Sequence, residues 1–123
     1  MKLVCKSCEI EISNVLTELR DLSLLNEEIG EDHTPLDYIP QGYFLIVGED
    51  DEVDKKGTII INMKDLINSK HHPDGDRLNG CCGLDGLDGM NRVCSNGHEI
   101  GTENSDCWMP HYIAINPNMA IFM

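Results

Sequence analysis

The cysteines and histidines are the residues of this chain best able to do chemistry. Two cysteines stand near the start, in the run Cys5-Lys6-Ser7-Cys8. Two intervening residues let one tight turn direct both sulfur atoms at a single ion, the spacing typical of structural zinc sites. A redox interpretation would place the pair between a strand and a helix of a βαβ unit, and no strand-forming run precedes Cys5. The motif therefore favours metal binding over thiol redox chemistry.

A tetrahedral metal site needs two further ligands, and the second half of the chain contains them. Cys81 and Cys82 are adjacent, so in an extended backbone their side chains point in opposite directions and only one is expected to join a given ion. Cys82 precedes a glycine and Cys94 precedes Ser95-Asn96-Gly97, and both sequences are typical of turns. The predicted site is therefore Cys5, Cys8, Cys82 and Cys94. Thiolate-rich tetrahedral sites usually hold zinc, with iron as the second choice.

Other ligand sets remain open because a second spacing occurs twice, as Cys94-x3-His98 and Cys107-x3-His111. Either histidine can replace a sulfur at the predicted site. Alternatively, one of them can build a second site with Cys81 and Cys107. The alternates to the predicted set are thus Cys81, His98, Cys107 and His111.

A hydrolytic site is a further alternative. The run His71-His72-Pro73-Asp74-Gly75-Asp76 concentrates imidazole and carboxylate groups. A catalytic metal uses such ligands and keeps one coordination position open. The carboxylates available to complete it are Asp85, Asp88, Glu99, Glu103 and Asp106. The spacing of these histidines and carboxylates matches no hydrolytic motif, so the sequence does not favour an enzyme.

One stretch of the chain carries a family resemblance. Gly80-Cys81-Cys82-Gly83-Leu84-Asp85-Gly86, followed by Cys94 and by Asp106-Cys107-Trp108 with Pro110-His111, resembles a group of small uncharacterised bacterial proteins with a GCCG-DG…C…DCW-PH signature. That resemblance implies a metal-knuckle protein and no particular activity. The opening Cys-x-x-Cys also looks like a zinc ribbon, although the second Cys-x-x-Cys of a ribbon is absent.

Composition restricts the partners and the compartment. Against nine Lys and Arg stand 22 Asp and Glu, for a formal net charge of −13. Nucleic acids and anionic membranes require basic surfaces, so neither is expected as a partner. A basic protein would be steered toward the chain. Six cysteines with no apolar signal segment at residues 1–6 predict reduced thiols and a cytoplasmic location.

The elements that must position these ligands are mostly strands. Alternation predicts a strand at 9–12, and Ser13 with Leu16 and Leu19 predicts a short helix. Apolar, β-branched runs predict strands at 43–47 and 58–63, joined as a hairpin by the acidic loop 49–54, and another strand at 111–115. The apolar tail to Met123 is expected to dock into a sheet. Residues 64–110 lack periodicity and hold seven of the eleven glycines, which predicts a long loop of compact turns organised by metal.

The combined prediction is one domain, residues 1–123, stapled by metal. Its fold class is α+β but β-rich, with a small, mostly antiparallel sheet and a long Cys/Gly-rich loop. The expected function is binding: a protein-interaction or accessory module with a structural zinc ion. The alternatives are a metal-dependent hydrolase that uses the His/Asp-rich loop and a thiol redox protein.

Overall fold

The computed structural model describes residues 1–26, 36–48, 57–80, 83–106 and 110–123. These residues form a β-rich fold whose helical segments are three short 3-10 turns, at Leu22–Leu24, Met63–Asp65 and Gly75–Arg77. The strands are β1 (Leu3–Cys5), β2 (Thr17–Glu18), β3 (Tyr43–Ile46), β4 (Ile59–Ile61), β5 (Ser69–His71), β6 (Arg92–Cys94), β7 (Glu99–Asn104), β8 (Tyr112–Ile115) and β9 (Ala120–Phe122). Within the described ranges, no helix has the length and apolar character needed to cross a membrane.

Among the described residues, seven strands form the main sheet, in the order β2-β3-β4-β8-β7-β6-β5. Every pairing is antiparallel except the short parallel contact of β2 with β3. The two central strands, β4 and β8, are buried along their whole length. They are also rich in isoleucine, a β-branched residue suited to a pleated surface covered on both sides. The predicted β-rich, mostly antiparallel sheet is thus confirmed.

Each face of the main sheet packs against a separate hydrophobic cluster. Alternation along β8 directs Ile113 and Ile115 to one face and Tyr112 and Ala114 to the other. The first face is covered by a two-stranded sheet in which β1 pairs antiparallel with β9. The ring of Phe122 on β9 lies 4.6 Å from that of Phe44 on the main sheet. This packing brings the segment that carries Cys5 onto the core.

Several predicted elements are confirmed. Strands β3 and β4 are antiparallel neighbours, with Leu45 opposite Ile60, and the predicted strand near the C-terminus is β8. The apolar tail docks as β9 beside β1. The predicted acidic loop, 49–54, lies outside the described residues.

The predicted helix after Ser13 is wrong. Backbone N–H groups of this segment bond to distant strands: Leu16 donates to the carbonyl of Met1, and Leu19 donates to that of Phe44. Leu16 and Leu19 are buried, as their spacing suggested, but they are buried from an extended chain that includes β2. Tertiary pairing overrides the local pattern. The described residues contain no α-helix, so the α component of the predicted fold class is not confirmed.

The predicted long loop at 64–110 is also wrong, because three strands of the main sheet lie in it, the first of them β5 at Ser69–His71. Residues 92–94 and 99–104 form β6 and β7, and residues 101–104 of β7 pair with the central strand β8. The compact turns expected from the glycine spacing do occur before β6, where Gly86 and Gly89 have φ of 73° and 96°. Positive φ is accessible to glycine at little cost.

Candidate metal centre

The N-terminal knuckle, residues 5–8, is a tight turn at the end of β1. The Cys5 N–H donates to the carbonyl of Ile10 at 2.9 Å, and the Glu9 N–H donates to the carbonyl of Cys5 at 2.7 Å. After the turn the chain runs back antiparallel to β1, with Val4 opposite Glu11. These bonds hold Cys5 and Cys8 on one compact turn, as the Cys-x-x-Cys spacing predicted.

The second knuckle, residues 94–98, is the turn that joins β6 to β7. The Cys94 N–H donates to the carbonyl of His98, and the Gly97 N–H donates to that of Cys94, both at 2.8 Å. Gly97 has a φ of 88°, a conformation that favours glycine. The hairpin therefore fixes Cys94 and His98 on the same turn.

Asn68 connects the two knuckles. Its carbonyl accepts the Ser95 N–H at 2.8 Å, and its side-chain Nδ2 donates to the carbonyl of Glu11 at 2.8 Å. Its φ of 50° lies in the left-handed region, which asparagine tolerates better than most residues. Next to it, the Ile67 N–H donates to the carbonyl of Ile12. One residue thus links the second knuckle to the segment that follows the N-terminal knuckle.

Four side chains converge where the knuckles meet. One ligand atom from each of Cys5, Cys8, Cys94 and His98 lies within 4.8 Å of the others. The sulfur atoms of Cys8 and Cys94 are 3.8 Å apart, and the Cys94 sulfur is 3.4 Å from Nδ1 of His98. A tetrahedron with zinc–sulfur bonds of about 2.3 Å and a zinc–nitrogen bond of about 2.05 Å has edges of about 3.8 Å and 3.6 Å. The arrangement can therefore hold a metal ion such as zinc.

Hydrogen bonds and burial give the thiols different acidities. The Nδ2 of Asn96 lies 3.3 Å from the Cys8 sulfur, and it is the main cause that lowers the pKa of Cys8 to about 6, assisted by the Ile10 N–H. Burial raises the pKa of Cys5, although the N–H groups of Ser7 and Cys8 act in the opposite direction. Donors directed at sulfur stabilise the thiolate, which is the form that binds a metal.

The site lies at the margin of the core. Cys5 and Cys94 have no exposed surface and belong to the same hydrophobic cluster as Ile113. Cys8 packs against that cluster, and both it and His98 remain partly exposed. A metal bound here is anchored in the core on one side and borders solvent on the other.

The structure brings together three of the four residues in the predicted site and adds one alternate. Cys5, Cys8 and Cys94 stand with His98. Cys82, the fourth predicted ligand, and the alternates Cys81 and Cys107 lie outside the described residues. The remaining alternate, His111, is elsewhere: its Nε2 lies 3.2 Å from the carbonyl oxygen of Asp106.

The histidines of the hydrolase alternative have other neighbours. His71 Nε2 lies 3.4 Å from a carboxylate oxygen of Glu103, and His72 Nε2 lies 3.4 Å from one of Glu99. In addition, Nδ1 of His72 accepts the Asp74 N–H. Across the part of the chain that the structure describes, no group of three or more Cys, His, Asp or Glu side chains other than the two-knuckle cluster has ligand atoms close enough to share an ion.

Sequence reasoning missed two residues that shape the site, Asn68 and Asn96, and offered Glu103 only as a possible ligand of a hydrolytic metal. Asparagine in the turn sequence Ser95-Asn96-Gly97 was the only available signal for Asn96, whereas nothing local marks Asn68. Glu103 is buried on β7, with Oε1 3.2 Å from Nε of Arg92 on β6. That nitrogen is buried and lacks the alignment of a hydrogen bond, so the pairing is electrostatic.

No protein-family model, curated protein or solved structure matches this chain.

Proposed function

We propose that this chain is a zinc-binding module in which Cys5, Cys8, Cys94 and His98 hold a structural ion. The observation that supports this most strongly is the clustering of three sulfur atoms and one imidazole nitrogen within 4.8 Å of one another. Three thiolates and a histidine are a common ligand set for structural zinc. Iron is the second choice, because sulfur-rich tetrahedral sites also suit iron.

A structural role follows from the number and origin of the ligands. Four protein groups fill a tetrahedral coordination sphere, so no position is left for a substrate or an activated water molecule. The N-terminal knuckle belongs to the small sheet and the second knuckle to the main sheet. An ion shared by both stabilises the packing of one sheet on the other, because binding to the folded site adds to the free energy of folding.

The proposed activity is binding, in the cytoplasm, as an interaction or accessory module. The formal net charge of −13 favours a basic protein as the partner. The thiolate ligands require a reducing compartment, because oxidised cysteines cannot bind zinc.

A closed coordination sphere can be tested with cobalt. Co²⁺ in place of zinc should give the absorption of a tetrahedral thiolate site, and added azide should leave that spectrum unchanged. An azide-dependent shift would reveal an open position and support a catalytic metal instead. The matched control is His98→Ala, which removes one ligand and should render the cobalt spectrum sensitive to azide.

The basic partner can be tested with peptides. A lysine-rich peptide should bind the zinc-loaded chain at low ionic strength and dissociate as salt is added, since screening weakens interactions between exposed charges. A glutamate-rich peptide of equal length is the control. Failure of the lysine-rich peptide to bind at low salt would contradict the partner proposal and leave the zinc proposal intact.

A further inference from the structure

The three thiols of the centre differ in their access to solvent. Cys5 and Cys94 have no exposed surface, whereas Cys8 is partly exposed at the end of a turn whose residues Lys6 and Ser7 are exposed. A small oxidant arriving from solvent therefore meets the Cys8 sulfur first. The Cys94 sulfur lies only 3.8 Å behind it.

We propose that Cys8 is a site of oxidative modification, at which a hydroperoxide converts Cys8 and Cys94 into a disulfide and releases the zinc ion. This inference rests on the proposed zinc site. It adds regulation to that site: the centre is closed to substrates but can be opened by oxidation.

The reaction balances with hydrogen peroxide as the oxidant. The Cys8 thiolate attacks one peroxide oxygen, the O–O bond breaks, and the departing hydroxide takes a proton to become water. Cys8 is then a sulfenic acid. The Cys94 thiolate attacks the Cys8 sulfur and displaces hydroxide, which takes a second proton. The two thiolates lose two electrons, the peroxide gains them, and two water molecules and one disulfide result.

Geometry favours Cys94 over Cys5 as the second thiol. Cys5 lies on the same tight turn as Cys8, and the backbone of Cys5 is fixed by its bonds to Ile10 and Glu9. The Cys94 sulfur lies 3.4 Å from Nδ1 of His98. Once zinc departs, coordination no longer holds these two atoms together. A disulfide requires a sulfur separation of about 2.05 Å. Movement of the exposed turn that carries Cys8 can bring its sulfur from 3.8 Å to bonding distance of the Cys94 sulfur.

The disulfide would preserve the connection that zinc made. It links the N-terminal knuckle to the second knuckle, the same two segments that the ion joins. Loss of two thiolate ligands leaves Cys5 and His98, too few to retain zinc against a chelator. Oxidation is therefore expected to release the ion while the two sheets stay together.

The experiment treats zinc-loaded, reduced protein with hydrogen peroxide in the presence of the zinc indicator 4-(2-pyridylazo)resorcinol. Zinc content is measured first, and the products are alkylated and mapped by peptide mass spectrometry without reduction. We expect one zinc ion released per chain, a Cys8–Cys94 crosslink, and restored zinc binding after treatment with dithiothreitol. The matched variant is Cys8→His, which keeps a four-ligand site and should release zinc at least tenfold more slowly.

A second measurement avoids reliance on that variant. Dimedone added with peroxide traps sulfenic acids, and in the wild-type chain it should label Cys8 ahead of Cys5 and Cys94. Zinc retained under excess peroxide, or labelling of Cys5 or Cys94 before Cys8, would overturn the oxidation proposal while leaving the zinc site standing. Protein that contains no zinc before peroxide is added would overturn both.

Discussion

The sulfur atoms of Cys8 and Cys94 lie 3.8 Å apart although 86 positions separate them in the chain. Cys8 ends the turn after β1, and Cys94 ends β6 in the main sheet. A crosslink between them reduces the entropy of the unfolded chain. By the relation used for disulfides, this stabilises the folded protein by roughly 4–5 kcal/mol. An ion bound by both sulfurs would therefore restrict the conformations of most of the chain.

Loss of one thiolate should be far more damaging than loss of a histidine elsewhere. We expect Cys8→Ser to lose zinc and at least about 3 kcal/mol of unfolding free energy, because serine oxygen is a poor replacement for thiolate and metal binding is coupled to folding. His72→Ala should change stability by less than about 1 kcal/mol, because the contact of His72 with the partly exposed Glu99 carboxylate is long, at 3.4 Å. Denaturant unfolding with zinc analysis measures both. Full zinc in Cys8→Ser and loss of zinc in His72→Ala would move the metal to the histidine-rich stretch.

The amide of Asn96 should tune zinc affinity. In Asn96→Ala the donor 3.3 Å from the Cys8 sulfur is removed, so the thiolate is less stabilised and the zinc dissociation constant should rise roughly tenfold. Ser95→Ala is the control, since it alters the same exposed turn and retains the backbone bond to Asn68. Competition with a chromophoric chelator measures both affinities. Equal values for the two variants would show that the Asn96 contact does not affect the metal.

Removal of zinc should loosen the knuckles before the sheet centre. Hydrogen exchange on chelated protein should show early loss of protection at the amides of Cys5, Cys94 and Gly97, whose bonds close the two turns. The amides of Ile60 and Ile113 should stay protected longer, because β4 and β8 are buried in the middle of the main sheet. Simultaneous loss at all these positions would mean that the whole fold is one metal-coupled unit.

Buried Glu103 should support the fold independently of zinc. Glu103→Gln neutralises a carboxylate that faces Arg92 and His71 and accepts the Ser105 hydroxyl, leaving the largely buried Arg92 without an opposite charge. We expect a loss of about 2–4 kcal/mol with zinc content unchanged. Glu99→Gln, at a more exposed position, should cost less than about 1 kcal/mol. Similar losses in the two variants would indicate that Glu103 is not an important ion-pair partner.

The strands that the sequence predicts are those with local apolar signals. β4 is a run of three isoleucines, and it needs no distant partner to be recognised. The sequence did not predict β7 because this strand buries the polar residues Glu103 and Asn104. Such residues can be buried only beside polar partners from distant parts of the chain. One such partner is the buried Asn91, which precedes β6. Its side-chain amide donates to the Glu103 carbonyl and accepts the Glu103 N–H. These bonds lie next to the shift in register between β6 and β7.

The cysteine spacing indicated the kind of site but could not select its fourth ligand. Cys82 was the predicted ligand and His98 an alternate, and choosing between them requires knowing which turn faces the N-terminal knuckle. The β6–β7 hairpin places His98 beside Cys5 and Cys8, and Asn68 bonds to both segments, whereas Cys82 lies outside the described residues. Both depend on pairing between segments remote in sequence, which local patterns do not encode.

X-ray absorption at the zinc edge, on protein purified without chelator, tests the central claim most directly. We predict about one zinc ion per chain, with three sulfur neighbours at about 2.3 Å and one nitrogen neighbour at about 2.05 Å, and the same spectrum for Cys82→Ser. A chain free of transition metal, or a zinc shell dominated by oxygen and nitrogen, would contradict the proposed centre. A shell of four sulfurs that loses one in Cys82→Ser would show that Cys82, not His98, is the fourth ligand.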